Sequence, residues 1–277
     1  MGSKKETQKE INNRAILLTG SSGGVGFEVT KKYIENGFHV FGLDIKEPKE
    51  YLDGLSFIKT DLTKEDEVKN AFKIVSESGY QIEHIICTAG MNDMNSLIEI
   101  SEEDFIKIFD TNAFSVYRTN KYFVPILKER GKVIIISSEL GPLDPLPFNG
   151  IYTITKALVE KYAYSLRMEL QLLGHQVVLI RPGAIDTDMI QVSSERLENF
   201  VDNTEQYKDI SKKFKNIVDS VQNRKIPPYK VAKLIYKVSQ KKKPKYVYRI
   251  NRNAGLLLLN ALPDRMQNWI IKKILTK

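Results

Sequence analysis

Tyr152 and Lys156 stand four positions apart in a stretch, Tyr152 to Leu173, whose pattern predicts a long helix, so both side chains share one face. An unperturbed phenol ionises at about pH 10 and is a poor base at neutral pH. An ammonium group one helical turn away favours the phenolate, and a tyrosine so placed can take a proton from a hydroxyl or return one to a carbonyl oxygen. Tyr-x-x-x-Lys pairs arise by chance in many chains of this length. Here the pair follows a serine, Ser138, 14 residues upstream at the end of an apolar run, and an intact glycine turn near the N-terminus. Chance is a poor explanation of all three.

The glycine turn lies within residues 14 to 26, where an apolar run enters Gly20-Ser21-Ser22-Gly23-Gly24-Val25-Gly26. The pattern is that of a strand, a tight turn and a helix start. Gly20, Gly24 and Gly26 tolerate positive φ and carry no Cβ, so the backbone there can approach a pyrophosphate, with the free N–H groups of the following helix aimed at it. A second strand, His39 to Ile45, contains Asp44, 18 positions after Gly26. A carboxylate at that spacing suits the two hydroxyls of an adenosine ribose and repels the extra phosphate of NADP, although it could also be a surface aspartate closing a strand. Neither Gly23 nor Ile45 is basic. The cofactor expected is NAD rather than NADP.

The rest of the chain alternates in the same way. Predicted strands are Leu55–Leu62, Ile82–Thr88, Lys132–Ser138, Gln176–Arg181 and Tyr246–Ile250. Predicted helices are Val25–Asn36, Lys64–Ser78, Ser101 to about Asp110, about Asn112 to Arg130 with a kink at Pro125, Tyr152–Leu173 and Tyr229–Gln240. Six or seven strands alternating with helices mean an α/β fold with a doubly wound parallel sheet, a Rossmann fold, whose ligands bind at the carboxyl ends of the strands. Asp61, expected at a strand end, would there meet the adenine amino group. Residues 186–228 are polar and read as helices and loops forming a lid. The domain plan is a flexible tail at 1–13, one Rossmann-fold unit at 14–250, and a C-terminal extension at 251–277.

The chain has 277 residues, 42% of them hydrophobic, and 16 glycines, enough for one large core. Met1 to Arg14 lacks the apolar core of a signal peptide, and no apolar run reaches the roughly 18 residues of a membrane span. Cys87 is the single cysteine; it excludes an internal disulfide, fits a reducing cytoplasm and, in an apolar strand, reads as a small buried hydrophobe. His39, His84 and His175 are scattered and no acidic cluster has ligand spacing, so no metal is expected. The net charge is +8, yet residues 241 to 277 hold ten Lys or Arg and one acid, Asp264, about +9, which leaves the remainder near −1. Interleaved with Leu256–Leu259, Trp269, Ile270, Ile271, Ile274 and Leu275, that segment suits an anionic membrane surface or a partner more than nucleic acid, or else a solvated face on a docked helix.

Taken together, Thr19-Gly20-x-x-x-Gly24-x-Gly26, Asp61-Leu62, Ala89-Gly90, Asn112, Ser138, Tyr152-x-x-x-Lys156, Pro182-Gly183 and Thr187 resemble the short-chain dehydrogenase/reductase family in its single-domain form, from about Arg14 to Ile250. The resemblance implies an NAD-dependent oxidoreductase interconverting an alcohol and a ketone or aldehyde. Tyr152 would be its acid/base, Ser138 would hydrogen-bond the substrate oxygen, Lys156 would lower the Tyr152 pKa and hold the nicotinamide ribose, and Asn112 would position a water relaying protons through Lys156. Cofactor contacts would come from Gly20, Ser22, Gly24, Val25, Gly26, Asp44, Ile45, Asp61, Leu62, Thr88, Ala89, Gly90, Pro182, Gly183, Ile185 and Thr187, with Tyr152 and Lys156. Glu139, Leu140, Leu143, Leu146 and Met189 are candidates for the substrate pocket.

Leu-Pro-Asp-Arg at 262–265 before an amphipathic helix is similar to members acting on steroids, retinoids or other lipid-like alcohols. Alternatives are a reductase of 3-oxoacyl chains, a small-polyol or sugar dehydrogenase, and a non-catalytic NAD-sensing protein; the last would be expected to lose Tyr152 or Lys156. A homodimer or homotetramer through the helices after strands four and five is expected from the same resemblance. Three departures stand out. Cys87 and Thr88 replace the family's two asparagines before Ala-Gly, one extra residue separates Ser138 from Tyr152, which leaves open whether Ser138 or Ser137 faces the substrate, and Glu139 stands where apolar residues are usual.

Overall fold

In the first strand, β1 (Arg14–Thr19), every residue after Arg14 is buried, and the apolar ones divide by parity: Ala15 and Leu17 join one apolar cluster, Ile16 and Leu18 another. A strand buried on both faces must carry helices on both sides. The computed structural model of the chain, which describes residues 13–222 and 224–276, has that arrangement. Of the expected tail at 1–13, all but Asn13 lies outside the described residues, as does Lys277 of the extension.

The other strands are β2 (His39–Asp44), β3 (Leu55–Lys59), β4 (Gln81–Cys87), β5 (Leu127–Ile136), β6 (Gln176–Pro182) and β7 (Val247–Ile250). They form one parallel sheet in the order β3-β2-β1-β4-β5-β6-β7. The helices are α1 (Gly24–Ile34), α2 (Glu65–Glu77), α3 (Glu102–Phe109), α4 (Ser115–Phe123), α5 (Gly150–Leu170), α6 (Asp188–Asn203), α7 (Lys208–Gln222), α8 (Pro228–Ser239), α9 (Ala254–Asn260) and α10 (Asp264–Thr276). Val68 and Val75 of α2, Phe123 of α4 and Val159 and Ala163 of α5 cover one face of the sheet; Val29 and Tyr33 of α1 and Val231, Ile235 and Val238 of α8 cover the other. The chain order reverses between β1 and β4, and the crevice beyond their carboxyl ends is where such sheets bind ligands.

Two elements differ from their sequence expectation. Strand β3 stops at Lys59, not Leu62, because after Thr60 N–H bonds the Asp44 carbonyl the chain folds on itself: Asp61 accepts from the Thr63 N–H at 3.0 Å and the Thr63 hydroxyl at 2.7 Å. The helix expected to reach Arg130 ends instead with a 3₁₀ turn, Val124–Ile126, and Pro125 terminates it rather than kinking it. Leu127 already pairs with Ile82, and Arg130, at φ 56°, lies in a bulge after which Lys132 pairs with His84. Between α3 and α4 the chain does not break but passes through one π-helical turn, Asp110–Phe114.

Helices α6 and α7 occupy the stretch expected to form a lid and share a small separate core with the extension: Met94, Phe148, Leu197, Phe200, Phe214 and Leu275. Phe148 holds a left-handed backbone (φ 62°), a strain offset by ring contacts to Phe200, Tyr207 and Phe214 at centroid distances of 5.0, 5.0 and 5.3 Å. Polar ties fasten α6 to the segment after β4. Arg196 pairs with Asp93 at 3.3 Å, Asn92 donates to Ser193 at 3.0 Å, and Glu99 accepts from the Thr204 hydroxyl and the Glu205 and Gln206 N–H groups at 2.7–3.0 Å. Among the described residues no helix is long and apolar enough to cross a membrane.

Candidate active site

The glycine turn is shaped by two close approaches. Gly20 sits at φ +72° with its α-carbon against β4, so that a Cβ would lie 2.7 Å from the Ala89 nitrogen, and a Cβ on Gly26 would fall 1.9 Å from the Gly20 carbonyl oxygen. No side chain caps α1 at Gly23, so its first-turn N–H groups face the crevice without a protein acceptor from a cap. Val25 lies in that turn. Asp44, at the end of β2, accepts from Ser22 N–H and Lys46 N–H, both at 3.0 Å, while the Ser22 hydroxyl donates to the Lys46 carbonyl at 2.6 Å. The carboxylate is thereby fixed beside the turn, with Ile45 exposed next to it. A glycine cradle that a Cβ would fill, an uncapped helix start and an oriented acid fit a dinucleotide.

Thr88 ties the end of β4 to β1 by donating its hydroxyl to the Thr19 carbonyl at 2.7 Å, and Ala89 and Gly90 then pass over the turn. Gly183 follows β6, its N–H bonded to the Ile250 carbonyl at 2.9 Å. Ile185 bridges to Ile226, and Thr187 packs on the turn, its methyl 2.7 Å from where a Gly24 Cβ would stand. Asp61 and Leu62 lie in the turn after β3; burial opposes ionisation of Asp61, but the Thr63 hydrogen bonds and Lys64 hold its carboxyl below the usual range. Leu62 is part of the core.

The reactive groups gather over β4 and β5. Asn112, buried in the π-helical turn, donates to the Met91 carbonyl and the Thr155 hydroxyl, both at 2.9 Å, and accepts from Met91 N–H at 2.7 Å. Its amide therefore stitches the loop after Gly90 to α5. Lys156 is buried, with Nζ 3.5 Å from the Ile136 carbonyl and 5.6 Å from the Tyr152 ring centroid. Ser138 lies on the Tyr152 side, where it favours ionisation of the phenol, and accepts from Leu140 N–H at 3.2 Å, whereas Ser137 turns the other way and donates to Glu160 at 3.0 Å. Of the two serines, Ser138 is the one on the tyrosine.

Burial sets the electrostatics. It pushes the Tyr152 phenol up to about 12, against the Ser138 hydrogen bond and with help from the Glu139 charge. It lowers the Lys156 ammonium to about 8. Desolvation dominates both groups, and Lys156 is not among the influences that set the Tyr152 pKa in the free protein.

Thr155, Glu160 and Arg181 were not among the sequence candidates. Arg181 forks onto Glu160 at 2.7 and 2.6 Å and joins β6 to α5 beside Ser137. The signal available was Glu160 four residues after Lys156, on the same helix face. Glu139 accepts from Asn253 N–H at 2.7 Å, and burial raises its carboxyl pKa against that hydrogen bond and Arg252. Glu139 and Leu143 line a cavity of about 210 Å³ with Pro142, Arg181, Arg249, Arg252 and Leu257, while Leu140, Leu143 and Leu146 pack under α9. Met189 is exposed on α6.

A family model described as short chain dehydrogenase matches residues 14–198. The chain is 30% identical over 197 residues to the 3-ketodihydrosphingosine reductase of Bacteroides thetaiotaomicron, covering 70% of this chain and 71% of that protein. It is 31% identical over 180 residues to the NADPH-dependent 1-acyldihydroxyacetone phosphate reductase of Schizosaccharomyces pombe, covering 62% and 60%. In fold it is similar to the 3-ketoacyl-(acyl-carrier-protein) reductase of Brucella melitensis, complexed with NADH, with a TM-score of 0.70 at 18% identity over 87% of this chain and 97% of that one.

Proposed function

The chain belongs to the short-chain dehydrogenase family, and from that premise we propose that it interconverts a secondary alcohol and a ketone on an apolar, lipid-like substrate with NAD(H). Oxidoreduction at a CH–OH centre with a nicotinamide cofactor is the family's chemistry. Hydride acceptance and donation are what a bound nicotinamide supplies. The observation that carries the proposal is the buried Tyr152 phenol with Ser138 beside it and Lys156 buried one turn on, at the strand ends beside the glycine turn. Tyr152 takes the proton of the substrate hydroxyl on oxidation and returns it on reduction, while Ser138 holds the same oxygen and stabilises the charge that develops on it. Asn112 keeps Gly90 and Met91 in place against α5, and Lys156 supplies the positive charge that an apolar, water-poor site otherwise lacks. Asp44 supports NAD over NADP by the ribose argument. The relatives named as reductases of 3-ketodihydrosphingosine and 1-acyldihydroxyacetone phosphate support a lipid-like substrate, over which residues 186–228 act as a lid.

The same proposal includes a homodimer or homotetramer. Phe114 and Tyr117, in the π turn and α4, and Ile154, Leu158, Tyr164 and Met168 of α5 are exposed large apolars, and those of α5 fall within one arc of the helix.

The test is a panel of long-chain 3-ketones, steroids and polyols assayed with NADH, repeated with Tyr152→Phe. Turnover of apolar ketones that falls by about 10²–10⁴-fold in the variant, with NADH affinity unchanged, is expected. Undiminished turnover by Tyr152→Phe would remove the assignment, and activity confined to polyols would remove the lipid-like class.

A further inference from the structure

We propose that α9 and α10 dock this protein onto an anionic lipid surface, independently of which alcohol it oxidises. On α10 the inward face is Gln267, Ile271 and Leu275: Gln267 donates to the Leu262 carbonyl at 2.9 Å, and Leu275 enters the Phe148–Phe214 cluster. At 100° per residue, Met266, Trp269, Ile270 and Ile274 then run along one outer flank. Trp269 is 61% exposed, Ile274 54% and Met266 50%, and Leu258 of α9 adds a side chain 70% exposed. Lys273 stands within the flank, between Trp269 and Met266, with its ammonium 4.7 Å from the Trp269 ring centroid, and Arg265 and Lys272 line one edge. An apolar flank carrying a tryptophan and bordered by long cationic side chains is the composition of a helix lying in a headgroup layer.

Charge selects the occupant. None of the nine described cations between Lys241 and Lys273 forms an ion pair among the described residues, whose ion pairs all lie between Arg14 and Lys225. Lys241, Lys242, Lys243 and Lys245 stand at the amino end of the sheet, but Arg265, Lys272 and Lys273 of α10 and Arg249 and Arg252 beside Leu257 of α9 face only one acid of the segment, Asp264, so the side that bears the apolar flank is net cationic. A two-fold contact with a second copy would set this charge against itself, and a nucleic acid would leave the aliphatic flank wet. A bilayer rich in anionic lipid satisfies both. The face also sits against the site: Leu256 and Leu259 pack with Leu140, Leu143 and Leu146 of the segment after Ser138, Asn260 donates to Asp144 at 2.9 Å, and α10 packs on α7.

Trp269 is the only tryptophan of the chain, so its emission reports this helix alone. The full-length protein is titrated with phosphatidylcholine vesicles with and without phosphatidylglycerol, and co-sedimentation is measured in parallel. A blue shift with the anionic vesicles only, quenching by brominated lipid, reversal by salt, and at least a tenfold weakening in the double variant Lys272→Glu/Lys273→Glu are expected. Trp269→Glu, assayed by sedimentation, weakens binding as well; circular dichroism checks that both variants, altered only at exposed positions, stay folded. Absence of any shift, an equal shift with pure phosphatidylcholine, or sedimentation without a change in Trp269 emission would each overturn the proposal. So would retention by an acidic protein or nucleic acid in place of vesicles.

Discussion

Burial drives Tyr152 and Lys156 toward their neutral forms, Tyr152 by raising its pKa to about 12 and Lys156 by lowering its own to about 8. In the free enzyme Lys156 is therefore cationic below about pH 8 and loses its charge above it. For carbonyl reduction, kcat/KM, which reports the free enzyme, falls as pH rises through about 8. Lys156→Arg keeps its charge and removes that limb; an unmoved limb in this variant would assign it to another group. The same shift affects stability with a definite sign. Between about pH 8 and the ordinary lysine range the unfolded chain binds the extra proton, so the burden of burying Lys156 eases as pH rises. Tyr152, Lys156 and Ser138 were legible as residue types at fixed spacing. That Ser138 and not Ser137 meets the tyrosine was not, because it depends on which way two consecutive side chains point at a strand end. The Glu160–Arg181 fork was hidden for another reason: its members belong to different elements, 21 positions apart. Both side chains are only 11–15% exposed, and Glu160→Ala leaves Arg181 without its partner, costing roughly 3 kcal/mol in denaturant unfolding. Replacing both by apolar residues costs much less. Equal losses would show that the pair itself stabilises and that the stranded charge is not what the single variant costs.

At the scale of elements, the π-helical turn does work that neither flanking helix could do alone. By widening one turn it places Asn112 where its amide reaches Met91 on one side and Thr155 on the other. Asn112→Ala removes three hydrogen bonds from a buried site, a cost of roughly 3 kcal/mol, and frees the Gly90–Met91 loop. Faster amide exchange there and a raised KM for the dinucleotide are expected, and a variant with wild-type exchange would contradict the positioning role. The same stretch explains where sequence patterning failed. Lys128, Glu129 and Arg130 look like the solvent face of a continuing helix, yet Leu127 is already paired to Ile82, and Arg130 takes a left-handed conformation that no periodicity reveals. Asp61-Leu62 has strand-end composition, so patterning carries β3 over it, whereas the Asp61 side chain closes its own turn. The apolar strands β1, β4, β5 and β6 were legible because burial on both faces leaves nearly continuous apolar runs.

For the molecule as a whole, alternation of these runs with helical periods was enough to give the doubly wound sheet. The third apolar cluster was less visible: Met94, Phe148, Phe200 and Leu275 come from four distant segments, and only the folded chain brings them together. The exposed apolars of the π turn, α4 and α5 lead to a prediction about assembly. Light scattering at micromolar concentration should give a dimer or tetramer, and charged substitutions at Tyr117 and Leu158 should shift it to monomer; a wild-type monomer would contradict this use of the face.

The most direct test of the central claim, that this crevice serves NAD(H)-dependent oxidoreduction, is a fluorescence titration with NADH and NADPH, repeated on Asp44→Ala. Saturable binding that favours NADH, with the preference lost and NADH affinity reduced by about tenfold in the variant, is the expected result. Tighter binding of NADPH would contradict the role given to Asp44, and binding of neither nucleotide would contradict the site.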